Sequence, residues 1–287
     1  MIVNRMNELK ICLAQIDARL GDLQSNLTRI LERVEMAKGR GADLIAFPEL
    51  ALTGYHTRES TPRVALPRDD PFWQPLLDAS REIAIILGFV FAGEDHHYFN
   101  AAAVLHRGEF SLIHQKTYLP NYGVYEEGKW FARGHQWQSF KVGAFRIGLL
   151  ICEESWHLSP AYAYFVQNVD ILVILTNSSN QGKTLDDETS AAAMCRLQNR
   201  FYARMLNCYV CFVNRVGEEE GMKFWGGSEC ISPQGETVAR AREFAEDVIF
   251  CQVEEAVLKR ARFATPLRRD ENIHEFVHYL KRWQKFS

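Results

Sequence analysis

The sequence predicts an α/β protein built on mixed β-sheet. Two observations carry this: buried-type apolar runs alternate with segments of helical period, and the run of elements ends in short hairpin-like strands. At 287 residues and 47% apolar composition, the chain can bury a sizeable core, and no Pro- or Gly-rich linker divides it. A single domain over 1–287 is therefore expected, with a tail over about 255–287 that packs on the body or on a partner subunit.

Lys10 to Ile16 reads as the first strand. Leu27, Ile30, Leu31, Val34 and Ala37 then recur on one helical face until Gly39 and Gly41 stop the helix. Leu44 to Phe47 is the next strand, Trp73 to Ile83 a helix, and Ile85 to Ala92 a strand. Ala101 to His106 and Phe110 to His114 form a hairpin across Arg107-Gly108. Residues 116–138 lack a period and read as one long loop, a length that within compact domains is usually functional. The alternation restarts with strand Phe145 to Ile151, helix Ser159 to Gln167, strand Asp170 to Thr176, helix Thr189 to Leu206 and strand Tyr209 to Asn214. Short strands follow near Ser228 to Ser232, Glu236 to Ala239 and Val248 to Val253, with Pro233-Gln234-Gly235 as a turn. The tail is charged from Glu255 and helical around Ile273 to Trp283.

Composition excludes several classes. The net charge is −3 and the basic residues are scattered, so no footprint for nucleic acid or an anionic membrane is visible, and small-molecule substrates are expected. No apolar run approaches the roughly 18 residues of a membrane helix, and the N-terminus lacks a secretory apolar region. Seven cysteines spread through apolar segments fit reduced thiols, which points to the cytoplasm.

Glu49, Lys116 and Cys152 each follow a predicted strand, at the carboxyl ends where α/β folds gather ligands. A cysteine nucleophile needs a base or a depressed pKa. Glu49 could take the thiol proton, Lys116 could add positive charge, and the turn at Cys152-Glu153-Glu154 would bring N–H groups beside the sulfur. Taken singly, each is better read as a buried cysteine, a helix-start glutamate or a surface lysine.

Taken together they carry a resemblance. Phe47-Pro48-Glu49-Leu50-Ala51-Leu52-Thr53-Gly54-Tyr55, then Gln115-Lys116-Thr117-Tyr118-Leu119-Pro120, then Gly148-Leu149-Leu150-Ile151-Cys152-Glu153 resemble, in that order, the three signatures of the nitrilase superfamily of carbon–nitrogen hydrolases. The similarity continues through Ala203 to Val210 and Gly226 to Glu236 and covers roughly residues 8 to 254. It implies a four-layer α-β-β-α sandwich (nitrilase-like), catalysis by Glu49, Lys116 and Cys152, and homodimers or higher homo-oligomers. It also implies a second glutamate at Glu127, with Glu126 adjacent. The implied reaction is acyl transfer to Cys152 with Lys116 and the Glu153 N–H holding the oxyanion, and no metal or organic cofactor is needed.

Cys152-Glu153-Glu154-Ser155-Trp156 and Leu119 to Tyr125 are most similar to the glutamine-hydrolysing domain of NAD synthetases, which implies Tyr122, Glu153 and Ser179 as substrate-binding residues. Ser178-Ser179-Asn180 departs from that pattern, so glutamine, another ω-amide and an N-carbamoyl compound stay open. True nitrilases usually carry tryptophan after the nucleophile, where this chain has Glu153, so amide hydrolysis is favoured over nitrile hydrolysis. A non-catalytic family member acting as a binding subunit is the rival from another class.

Other motifs weigh little. His274-Glu275-Phe276-Val277-His278 matches a zinc-protease signature but only nine residues follow, so a metalloprotease has about one chance in twenty. Cys208 and Cys211 lie three apart on a predicted strand and point to opposite faces, which speaks against a chelating pair. No histidine context pairs with Cys152 as in papain-like enzymes. The sequons at Asn26 and Asn177 mean little without a secretion signal.

Overall fold

In the computed structural model, which describes residues 7–180, 184, 187, 188 and 190–283, the apolar runs become strands buried on both faces. The first half contains β1 (Glu8–Gln15), α1 (Leu23–Gly39), β2 (Leu44–Ala46), α2 (Thr61–Val64), α3 (Gln74–Ala79), β3 (Ala84–Ala92), β4 (Tyr98–His106) and β5 (Glu109–Gln115). The second contains α4 (Glu127–Trp130), β6 (Phe140–Val142), β7 (Phe145–Ile151), α5 (Leu158–Val166), β8 (Ile171–Thr176), α6 (Ala191–Met205) and β9 (Tyr209–Asn214). A hairpin of β10 (Val216–Glu219) and β11 (Met222–Trp225) leads to β12 (Glu229–Ile231), β13 (Thr237–Arg240) and β14 (Asp247–Glu254). The tail forms α7 (Glu255–Ala264), α8 (Leu267–Asp270) and α9 (Ile273–Trp283).

Two six-stranded mixed sheets result, in the orders β14-β1-β2-β3-β4-β5 and β13-β12-β9-β8-β7-β6. Each has three parallel strands at its centre, β1-β2-β3 in one and β7-β8-β9 in the other, with antiparallel strands outside. Period-2 alternation then sorts the side chains into layers. Ile11 and Leu13 of β1 join Leu149, Val173 and Cys211 in a core between the sheets, while Cys12 and Ala14 turn outward to Ile30 and Val34 of α1 and Leu76 of α3. Likewise Leu150, Leu172 and Val210 face Tyr164 of α5 and Tyr202 of α6. The layers are helix, sheet, sheet, helix, as the resemblance implies.

The expected elements recur with differences that have local causes. The Arg107-Gly108 hairpin forms, with φ of 60° and 82° at its two turn residues, the mirror-image turn that matches strand twist. The helix expected over Trp73 to Ile83 ends at Ala79, because the Ser80 hydroxyl donates to Leu77 O and accepts from Gly108 N. The 116–138 loop contains the single turn of α4. β6 and the β10–β11 hairpin were not foreseen: β6 is three residues long, and β10–β11 turns on Glu220-Gly221, with φ of 48° and 81°. Thr189 lies outside the described residues, and the helix begins at Ala191 with the Ser190 hydroxyl accepting from Ala193 N. The tail is helical from its start, and Leu258 and Ala261 of α7 pack on the body whereas no residue of α9 is buried.

The minor motifs resolve plainly. His274 and His278 are exposed on α9, Cys208 and Cys211 enter different cores, and all seven cysteines are free. Asn26 and Asn177 are both 1% exposed, too enclosed for glycosylation. Among the described residues no helix is long and apolar enough to cross a membrane.

Gly88 of β3 shows how tightly the first site loop is seated. A Cβ there would lie 2.2 Å from Leu50 N and 2.7 Å from Glu49 Cα. Gly88→Ala is therefore expected to cost at least about 2 kcal/mol, as overpacking of a close-packed interior does, and to lower the melting temperature by several degrees. A melt unchanged within about one degree would contradict the close approach.

Candidate active site

Lys116 leaves the end of β5 fully buried, and its ammonium is held from two sides. Nζ donates to Glu49 Oε1 at 2.7 Å and to Glu127 Oε1 at 2.8 Å, both carboxylates being buried too. The lysine backbone is fixed as well, its N–H donating to Asn100 O and its carbonyl accepting from Gly134 N. A Cβ on Gly134 would lie 2.1 Å from Gln115 O, so only glycine permits that approach. Burial alone would push Lys116 down, but Glu127 and Glu49 outweigh it and hold the ammonium well above its ordinary pKa. Burial pushes the Glu127 carboxyl up to about 6 against the opposing pull of Lys116.

Further donors fix the two carboxylates. Glu49 Oε1 accepts from Asn100 Nδ2 at 2.8 Å and Oε2 from Asn177 N at 2.9 Å. Glu127 accepts from the Tyr55 hydroxyl at 2.8 Å and, on its other oxygen, from Asn100 Nδ2 at 3.4 Å. Tyr55 is anchored in turn, because Glu219 at the end of β10 accepts from the Tyr55 and His56 N–H groups. Glu126 is exposed and faces Arg58 at 3.7 Å, so of the adjacent pair it is Glu127 that reaches the cluster.

Cys152 follows β7 in a left-handed conformation, φ 44°, opening a 3-10 turn over Cys152–Trp156 before α5 starts at Leu158. A non-glycine residue held there is strained, and such strain gathers at functional sites. Enclosure of the sulfur and then the Glu49 carboxylate push the Cys152 thiol well above its ordinary value, outweighing Lys116. At neutral pH that direction keeps the resting sulfur a protonated thiol.

One residue ties the lysine strand to the cysteine strand. Glu154 is fully buried; its Oε2 takes His114 Nε2 at 2.7 Å and Ile151 N at 2.7 Å, and its Oε1 takes the Thr117 N–H at 2.9 Å and hydroxyl at 2.7 Å. It thus brackets Lys116 from both sides and grips the residue before Cys152. The sequence reading missed Glu154, Asn100, Asn177, Tyr55 and Glu219 as parts of the site. Glu154 adjoins a motif and had a signal, whereas the others are polar residues whose meaning depends on tertiary neighbours.

Of the residues expected at the substrate, Glu153 is buried and its Oε2 accepts from the Tyr122 hydroxyl at 2.6 Å, while its other oxygen lies 3.5 Å from His157 Nε2. Tyr122 itself is 56% exposed. Ser179 is buried and bridged to Phe224 of β11, and among the described residues no hydrogen bond joins it to Lys116 or the two glutamates. The three side chains Cys211, Cys230 and Cys251 form the one grouping of possible metal ligands among the described residues; they come from β9, β12 and β14 in the core between the sheets and include no member of the Lys116 cluster.

The profile of the carbon-nitrogen hydrolase family matches residues 10–263, nearly nine-tenths of the chain. The chain belongs to the carbon-nitrogen hydrolase family. It is 31% identical over 249 residues to a glutamine-dependent NAD(+) synthetase of Acinetobacter baylyi and 30% identical over 272 residues to one of Thermotoga maritima. These alignments cover 86% and 92% of this chain but 44% and 45% of the relatives, so the chain spans less than half their length. Among solved structures, a glutamine-dependent NAD+ synthetase from Acinetobacter baumannii superposes with a TM-score of 0.77 at 28% identity, over 88% of this chain and 46% of that one. An amidase of the nitrilase superfamily from Nesterenkonia superposes over 97% of this chain and its own full length, with a TM-score of 0.79 at 21% identity, and so shares the fold.

The Glu154 clamp predicts a defined acid response. Burial raises its carboxyl, but the His114 imidazole and the Thr117 and Ile151 N–H groups outweigh burial and hold it below the ordinary carboxylate range. Stability from this group is then fully present above that range and is lost as pH falls through it. Glu154→Gln is expected to cost about 3 kcal/mol at neutral pH, as breaking a buried charged contact does, with a shallower loss below pH 5 than wild type in denaturant titrations. Parallel acid limbs in the two proteins would refute the clamp.

Proposed function

We propose that this protein hydrolyses the carbon–nitrogen bond of a small amide through a thioester on Cys152. The observation that carries the reading is the buried Glu49–Lys116–Glu127 cluster standing by a strained cysteine at strand ends. Glu49 takes the Sγ proton as sulfur bonds to the amide carbon, and the oxyanion is held by Lys116 Nζ and the Glu153 N–H. Glu49 returns the proton to nitrogen as the C–N bond breaks, releasing ammonia and leaving the thioester. Water then attacks the acyl carbon while Glu49 accepts its proton, and protonation of the departing sulfur frees the carboxylic acid and restores the thiol. Glu127 keeps Lys116 charged and aimed.

A glutamine-like ω-amide is the favoured substrate class. Glu153, with Tyr122 and His157 around it, offers a carboxylate near the nucleophile for a substrate ammonium, and the more similar relatives are named as glutamine-dependent. A homodimer is proposed too, supported by apolar side chains that stand exposed on neighbouring helices: Leu158 on α5, Leu197 and Phe201 on α6, and Phe276, Leu280 and Trp283 on α9. Light scattering at micromolar concentration is expected to give twice the mass of one chain, and a monomer would reject the pairing.

Ammonia release from glutamine, other ω-amides, carbamoyl compounds and nitriles, with intact-protein mass spectrometry, tests the chemistry. Wild type is expected to release ammonia and carry an acyl adduct that Cys152→Ala lacks, and Glu49→Gln to lose about 10²–10⁴ in kcat. Equal rates in wild type and Cys152→Ala would exclude Cys152 as nucleophile. The pH profile is a second check. With the thiol protonated across the neutral range, kcat/KM should fall as pH drops through about 6, where Glu127 protonates, and show no rise near the ordinary thiol value of about 8.5. A rise there would mean that thiolate formation limits the rate.

A further inference from the structure

Asn177, the first residue after β8, is 1% exposed, yet among the described residues neither its Oδ1 nor its Nδ2 has a hydrogen-bond partner. The neighbouring Asn214 is, by contrast, fully matched. Asn214 Oδ1 accepts from the Thr176 hydroxyl and Ser178 N, and Asn214 Nδ2 donates to Ser178 O and Gly226 O. A buried carboxamide left unmatched costs about 1–3 kcal/mol per group, and leucine would fill a similar volume without that cost.

The backbone says where. Asn177 N lies 2.9 Å from Glu49 Oε2, so its Cα is within about 4.4 Å of that oxygen and its side chain starts one bond further on. A second unmatched atom borders the same carboxylate. Asn100 Nδ2 faces Glu49 Oε1 and Glu127 Oε2, which accept only, so the amino end of the amide is assigned to them and Oδ1 is the end without a partner. Lys116 Nζ gives two of its three N–H groups to the two glutamates, and the third is the oxyanion donor proposed above. Besides that N–H, the polar capacity open beside the base among the described residues is that of two carboxamides, neutral groups suited to a neutral ligand with N–H to give.

We propose that Asn177 binds the scissile nitrogen of a primary amide or carbamoyl group, its Oδ1 accepting one N–H. This rests on the hydrolase reading above and extends it from the reacting carbon to the leaving group. Holding one N–H turns the nitrogen lone pair toward Glu49 at the step where the proton passes from Glu49 to nitrogen, the C–N bond breaks and ammonia departs. An ester of the same acid is attacked by the same sulfur but offers no N–H, so Asn177 contributes to amide cleavage and not to ester cleavage.

The test compares kcat/KM for the fastest primary amide of the panel and for the methyl ester of the same acid, in wild type, Asn177→Leu and Asn177→Ala, with thermal melts of each. The expected result is a loss of about 10–100-fold on the amide, the worth of one buried hydrogen bond that strengthens as charge develops, against less than about threefold on the ester. Equal losses on both substrates, or no loss on either, would overturn the assignment. Should Asn177→Leu fail to fold, the smaller Asn177→Ala gives the same ratio. A wild type that cleaves the ester and no amide would reject both this role and the amidase reading, whereas amide cleavage with an unaltered amide-to-ester ratio in the variants would reject this role alone.

Discussion

Everything at this site depends on one buried ammonium. Lys116 is out of contact with water, and an isolated charge there would cost several kcal/mol or lose its proton. Two carboxylates from different parts of the chain prevent that, and neither could be buried as an anion without the lysine. The three charges are mutually conditional. Their excess of one negative charge helps to keep the neighbouring thiol protonated until a substrate offers somewhere else for charge to go. The same cluster therefore holds the fold together at this point and, on the proposed mechanism, holds the chemistry in reserve.

The surroundings explain why the cluster can be so exacting. The loop of Glu49 is pressed against Gly88 and continues through Leu50 at φ 48°, and Cys152 opens its own turn at φ 44°. Both turns leave central parallel strands, β2 and β7, whose registers are fixed by neighbours on either side. Strained backbone persists only where its surroundings over-determine it, and here the sheets do so. Glu154 then transmits the position of one turn to the other, since its two oxygens grip residues on both sides of Lys116 and the residue before Cys152.

Much of this was legible in the sequence because it is local. Strands buried on both faces read as unbroken apolar runs, α1 reads from its 3.6-residue stripe, and the hairpin at Arg107-Gly108 reads from its turn. That Glu49, Lys116 and Cys152 stand at strand ends was legible because each follows such a run, but singling them out took the resemblance of their three motifs to a known family. What could not be read is pairing at a distance. Nothing in Asn100 or Asn177 marks them as neighbours of Glu49, which lies 51 and 128 residues away along the chain. That β14 returns to β1, about 240 residues earlier in the chain, is likewise a distant pairing, and the short β6 and β10 carry too few residues to show a period.

The candidate residues are divided between the layers. Glu49 and Lys116 stand at the ends of strands in one sheet, Cys152 and Asn177 at the ends of strands in the other, and the core between them is made of side chains such as Leu13, Val173 and Cys211. Neither sheet alone contains a working half-site. Secondary structure could survive intact in an expanded, loosely packed state of this molecule and still leave base and sulfur without a common environment. On the proposed chemistry, competence is then a property of sheet-to-sheet closure, and turnover would vanish with tertiary packing well before helix and strand content declined.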